Sequence, residues 1–340
     1  MSTHEFDHLE TPMQPKQSRF SLTNYALKNL LSLGGLNARL SILIFHQVLA
    51  QPDPQSPGEE DTEIFDQQMS WLADCFRIIP LREAVQKLRQ GKLLPRTACI
   101  TFDDGYADNA KIALPILQKH GITATFFVST GFLDGGRMWN DTIIELVRQA
   151  PGPMLNLSKM ELGQFEIGTI PQREQAINTL LDKLKYLPLK SRQLKVEEMC
   201  AYIPAILPND LMMTSEQVKI LHNAGMEIGG HTVNHPILAR TEDVMARAEI
   251  ANGKEVLESI IRAPVRTFAY PNGKPGQDYL SDHVRMVRDL GFEAAVSTSH
   301  GAARNSSDLY QLPRFSPWDQ EKIRFTLRMA LNMLKKTETV

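Results

Sequence analysis

The chain has 340 residues, 42% hydrophobic and 22% charged, with 20 glycines and 20 prolines. This composition belongs to a globular protein and excludes a disordered tail, a collagen-like repeat and a small disulfide-stapled scaffold. Lys and Arg number 37 against 39 Asp and Glu, a formal net charge of −2, which gives no support for a nucleic-acid partner.

Taken in chain order, residues 1–19 are polar, carry Pro12 and Pro15 and show no periodicity, so they read as a flexible tail. They lack the basic and apolar regions of a secretory leader, and no run approaches a membrane span, so a cytoplasmic protein without a transmembrane segment is expected. Residues 20–335 read as one domain. The segment 20–45 opens as a moderately apolar helix, breaks at Gly34 and Gly35 and continues as a strand; packing is the common use of such a helix, although it could make weak peripheral contact with a membrane.

The strand over 40–45 ends at His46, and a Pro-rich loop follows. Helices are predicted over 64–76 and 80–90, then a strand over 97–102 that ends in Asp103 and Asp104. A helix over 108–120 tolerates Pro115, and a strand follows over 123–129. Short joints and nearly continuous apolar strands are the pattern of βα units with a parallel sheet covered on both faces. Residues 135–215 break that rhythm. Helices over 139–149, 173–187 and 196–206, a loop over 151–158 and a small hairpin within 163–171 read as a mostly helical insertion, a lid or a dimerisation element. The rhythm then resumes with helices over 215–224, 242–259, 282–290 and 320–335. Strands alternate with them, near 226 and over 266–270, 294–297 and 309–314, bringing the total to about seven. Neither a dinucleotide-binding nor a P-loop glycine pattern occurs. Cys75, Cys99 and Cys200 form no close pair, so the fold does not depend on disulfides.

The unusual residues fall at strand ends. In an α/β barrel these ends share one face, and that face holds the site. His46, Asp103-Asp104-Gly105, His231 with His235, and the FAYPNG turn at 268–273 would meet there. Adjacent carboxylates diverge, so one can hold a metal while the other stays free as a base. An i,i+4 histidine pair on one helical turn, or in a loop ended by Pro236, can present both rings to one ion. With Asp104 it gives two His and one Asp, an open hydrolytic site rather than a closed structural one.

These segments also resemble the polysaccharide deacetylase family, the NodB-homology carbohydrate esterases. TFDDG at 101–105 and HTVNH at 231–235 are similar to its first two signatures. FHQV at 45–48, FAYPNG at 268–273 and YQLPRF at 310–315 resemble further motifs of one branch, and MWNDTIIEL at 138–146 resembles the branch with a long insertion. The resemblance implies a distorted (β/α)7 barrel that removes acetyl from an N-acetylated sugar, usually N-acetylglucosamine in a polymer. The rival substrate is a small or carrier-linked amide, and the non-catalytic rival is a glycan-binding protein. It further implies Asp103 as general base, a divalent ion on Asp104, His231 and His235 (zinc, with cobalt, nickel or manganese as alternatives), and a Tyr270 N–H donated to the oxyanion. Two departures stand out. Ala269 occupies the place of an arginine that tethers the catalytic Asp elsewhere in the family, and Arg314 is the expected substitute. Pro313-Arg314 stands where a catalytic histidine is usual, which leaves His46, His300 or metal polarisation alone to supply the general acid. Trp139, Phe132 and Trp318 are candidate sugar platforms.

Overall fold

A computed structural model describes residues 35–340 apart from Pro57 and Pro317. The tail expected over 1–19 and the helix expected from residue 20 to the Gly-Gly break lie outside the described residues. Strand β1 (Ser41–Phe45) is entirely buried. After it come a short parallel ribbon, β2 (Val48–Leu49) with β3 (Glu60–Asp61), and helix α1 (Thr62–Cys75). The Asp61 carboxylate caps α1 by accepting from the Glu63 and Ile64 N–H groups, an acid where the helix dipole favours one. Strand β4 (Arg77–Ile78), helix α2 (Leu81–Arg89) and strand β5 (Thr97–Phe102) follow. The helix expected over 108–120 is a wide turn over Asn109–Ala113 leading into a shorter α3 (Leu114–Lys119). Pro115 lacks an N–H and fits only where the helix restarts. Strand β6 (Thr125–Val128) completes the first half.

The insertion comprises α4 (Trp139–Gln149), a hairpin of β7 (Met154–Asn156) and β8 (Gln164–Glu166), α5 (Ile170–Lys185) and α6 (Leu189–Tyr202). The segment 151–158, expected as loop, thus supplies one strand of the hairpin. Helix α6 starts at Leu189 rather than 196 because the buried Arg192, whose guanidinium lies 4.7 Å from the Trp139 ring centroid, hides an inward face behind a charged residue. The insertion has a core of its own, including Leu146, Leu157, Leu180 and Met199.

The second half alternates α7 (Ser215–Asn223), β9 (Glu227–Gly230), α8 (Asp243–Ile261), β10 (Thr267–Ala269), α9 (Ser281–Asp289) and β11 (Ala294–Val296), and α10 (Lys322–Asn332) follows. The parallel strands run in the order β1, β5, β6, β9, β10, β11, with β4 beside β5. The strand expected over 309–314 is present only as single bridges, because Pro313 has no N–H for a ladder. Those bridges close the sheet. Ser297 donates to Leu312 O on the β11 side, while Ile44 donates to Phe315 O and Phe315 to Ile42 O on the β1 side. With that stave the architecture is the distorted (β/α)7 barrel. Apolar strands fill its interior, with the Phe102 and Phe126 rings stacked 4.8 Å apart. Among the described residues no helix is long and apolar enough to cross a membrane.

Candidate active site

The buried run TACITF carries Asp103 and Asp104 to the C-terminal end of β5. There the Asp103 N–H donates to Phe45 O, and the Asp104 carbonyl accepts from the Ser129 N–H. Asp104 sits at φ +74 and Gly105 at φ +93. At Gly105 a side chain is excluded, since a Cβ would lie 2.9 Å from Val128. This left-handed corner turns the two carboxylates apart.

His231 leaves the end of β9 in a loop, not a helical turn: Thr232 has φ +67 and His235 φ +50. A β-branched residue in that region is strained, and contacts on both sides hold it there. Ser129 Oγ donates to His231 O, and the Thr130 and Gly131 N–H groups donate to Thr232 O and Val233 O. From α8 the Glu249 carboxylate accepts from the Val233 and Asn234 N–H groups and from the Asn234 amide. One turn further along α8, Gly253 makes room, since a Cβ there would stand 2.8 Å from the Thr232 carbonyl.

The result is a tight group. His231 Nε2 and His235 Nε2 lie 3.3 and 3.4 Å from Asp104 Oδ1, and all three ligand-type atoms fall within 4.8 Å of one another. His231 Nδ1 is 2.7 Å from Ala269 O, which fixes its proton on Nδ1 and turns the Nε2 lone pair inward. Asp104 Oδ1 is buried without a hydrogen-bond partner. An orphaned carboxylate oxygen facing two imidazole nitrogens fits a cation, and a donor set of two nitrogens and one oxygen suits zinc-like ions better than magnesium or calcium. This group could hold a metal ion.

Asp103 stands beside it, 4.0 Å from His231 Nε2. The fully buried Arg314 grips it through two hydrogen bonds of 2.7 Å, and also donates to Thr101 Oγ1 and Ser297 O. Burial alone would raise the Asp103 carboxyl, but Arg314, helped by His231 and His46, outweighs it and holds the group below the usual carboxylate range. Asp104 is likewise pushed up by burial and brought down further by His235, His231 and His46. Burial pushes His235 down to about 3, so it is neutral and its lone pair free across ordinary pH.

These groups line a cleft of about 500 Å³. His46 is on its rim, its carbonyl held by the Asn109 amide at 2.8 Å. Trp139 lines it too. Four other expectations are corrected. The Tyr270 N–H donates to Val296 O at 3.2 Å, and its ring is stacked 3.9 Å from Tyr279, so it does not face the cleft. His300 and Trp318 line a separate groove against α10, because the loop after β11 turns away toward that helix. Phe132 packs with Tyr106, Met138 and Met212. The cleft also holds Asn272 from the FAYPNG turn and Asn140 from the MWNDTIIEL stretch, together with residues for which the sequence carried no signal: Glu59 from the Pro-rich loop, and Asn178, Asp182 and Lys185 from the insertion.

A curled parallel barrel with a buried Asp-His-His group and a tethered carboxylate at its mouth defines a hydrolase. The family model "Polysaccharide deacetylase" matches residues 90–295, and the chain belongs to that family. The Bacillus subtilis protein YxkH, itself named only provisionally as a polysaccharide deacetylase, is 22% identical over 280 residues, 82% of this chain and 71% of YxkH. Among solved structures the fold is similar to the Streptococcus pyogenes deacetylase PplD in complex with acetate (TM-score 0.58, 19% identity, 86% of this chain and 99% of that one). It is also similar to IcaB from Ammonifex degensii (TM-score 0.56, 20% identity, 88% and 99%).

Proposed function

We propose that this deacetylase is metal-dependent and removes N-acetyl groups from N-acetylglucosamine in an oligo- or polysaccharide. The observation that carries the reading is the pairing of an orphaned Asp104 oxygen between two inward-facing imidazoles with a second carboxylate, Asp103, immobilised by Arg314. Asp104, His231 and His235 would hold the ion, zinc first and cobalt, nickel or manganese as alternatives. Bound there, a divalent ion supplies Lewis-acid polarisation of the acetyl carbonyl and of the attacking water.

The chain's own part is proton handling and positioning. Asp103, kept ionised and fixed in direction by Arg314, takes a proton from the water as it attacks. His46 on the cleft rim delivers a proton to the departing amine. Arg314 does not meet the substrate; it keeps the base in place.

The insertion wall supports a second reading, a small or carrier-linked amide, because it bounds the cleft on one side. Acetate release by the zinc-loaded protein from N-acetylglucosamine oligomers and single N-acetylated sugars, with Asp103→Asn beside it, separates the two. Release from oligomers that vanishes in the variant supports the proposal. Release from single sugars alone moves the assignment to the small amide, and no release on any substrate overturns the proposal and leaves the carrier-linked amide.

A further inference from the structure

Helix α5 has two faces with different tasks. Ala176, Ile177, Leu180 and Leu184 are buried in the core of the insertion. Asn178, Asp182 and Lys185, at i, i+4 and i+7, line the same cleft as Asp103, Asp104, His231 and His235. Polar residues on an outer helix face are ordinarily met by water or by neighbours along the helix. These three face the catalytic cleft, and Lys185 is half-buried there with no acid within ion-pair distance among the described residues.

The wall is also held in place. At one end of the insertion the Tyr106 hydroxyl, two residues beyond Asp104, donates to the buried Asp141 of α4 at 3.0 Å. Between α5 and α6 the Tyr186 hydroxyl accepts from the Gln277 amide, on the loop after β10. The insertion is therefore pinned to both sides of the barrel mouth, as a recognition wall requires and a dimerisation arm does not. Beside the α5 face stands Trp139, which carries the Arg192 guanidinium on its ring and also lines the cleft.

We propose that this face is a glycan subsite: Asn178, Asp182 and Lys185 hydrogen-bond the hydroxyls of the sugar residue adjoining the one that is deacetylated. An amide, a carboxylate and an ammonium together offer donors and acceptors for neighbouring hydroxyls, and among the described residues none of the three side chains makes a hydrogen bond or ion pair, the Lys185 ammonium lying only over the Tyr186 ring at 5.6 Å. The insertion thus makes the enzyme a reader of chain length. This rests on the deacetylase reading above and adds where the neighbouring sugar lies.

The test uses the full zinc-loaded chain with N-acetylglucosamine and its dimer, trimer and tetramer. In the parent, kcat/KM is expected to rise about tenfold from the single sugar to the trimer. In Asn178→Ala/Asp182→Ala and in Lys185→Ala most of that rise is lost, about fivefold, and the loss appears in KM rather than kcat. An unchanged melting temperature shows that the substitutions leave the wall folded. A chain-length dependence identical to the parent's overturns the subsite and leaves the deacetylase reading standing. If the parent releases no acetate at all, that reading fails, and calorimetric titration with the tetramer then decides the subsite: binding weakened in the variants upholds it, and no binding to the parent overturns it.

Discussion

Arg314 and Asp103 are 211 positions apart in sequence and share two parallel hydrogen bonds of 2.7 Å, with the guanidinium fully buried. The pair joins the stave that closes the barrel to the strand that carries the catalytic turn, so one contact serves both the fold and the site. Removing one partner leaves the other as an uncompensated buried charge, which typically costs about 3–5 kcal/mol. Arg314→Met should lower stability by that order and abolish acetate release. Asp103→Asn/Arg314→Met should regain much of the stability and none of the activity, and denaturant unfolding of the three variants closes the cycle. A double variant no more stable than Arg314→Met alone would show that the pair is not the source of the loss.

Removal of the metal gives a second expectation. Treatment with a chelator should reduce acetate release at least about a hundredfold, and one equivalent of zinc should restore it. Because an ion bound only by the folded chain stabilises by mass action, the melting temperature should rise with zinc in the parent and much less in His235→Ala. A zinc-independent melting temperature in the parent would count against the site.

The role given to His46 can be separated from binding by the leaving group. A departing sugar amine needs a proton, whereas a nitroanilide needs one far less. His46→Ala should lower kcat for the sugar about a hundredfold and for 4-nitroacetanilide only about threefold. Equal losses on the two substrates would make His46 a binding residue instead.

A pH effect on stability follows from Glu60, the buried neighbour of Glu59 in the cleft wall. Burial raises its carboxyl to about 7, against a partial offset from the Gln68 amide and with a further push from Glu59. A folded pKa above the unfolded one means that the folded state holds the extra proton. Stability is therefore complete below the ordinary Glu range and falls as pH rises through about 7, by up to about 3 kcal/mol. Glu60→Gln should match the parent near pH 4 and melt several degrees higher at pH 8. Parallel melting curves across that range would refute the assignment.

Much of this site could be read from the chain because its signals are local. An apolar run ending in two aspartates states both a buried strand and what its end presents, and β5 occupies the predicted span Thr97–Phe102. Arg314, expected through the resemblance as the substitute for the arginine missing at Ala269, lies within the final stave and reaches Asp103. What escaped depends on packing between distant segments. Glu249 lies within α8 and reads as one more helical acid, yet it braces the His231–His235 loop. Asn178 and Lys185 read as the outer face of a helix until the insertion folds back over the cleft. The spacing of His231 and His235 left a helical turn or a loop open, and it is the loop, with Thr232 and His235 at positive φ, that brings the rings together. Tyr270 was expected at the cleft from its motif alone, and the ladder to Val296 holds its N–H.

The position of the barrel seam also sets a schedule for the growing polypeptide. Asp103 is synthesised well before its counter-charge, and until residues 312–315 exist no burial of that carboxylate can be favourable. A nascent chain stopped short of them can form the βα units of its first half, but it must leave the catalytic turn wet and loose. Docking of the last stave and charge pairing of Asp103 are consequently a single event, so this carboxylate is fixed only when the topology is complete.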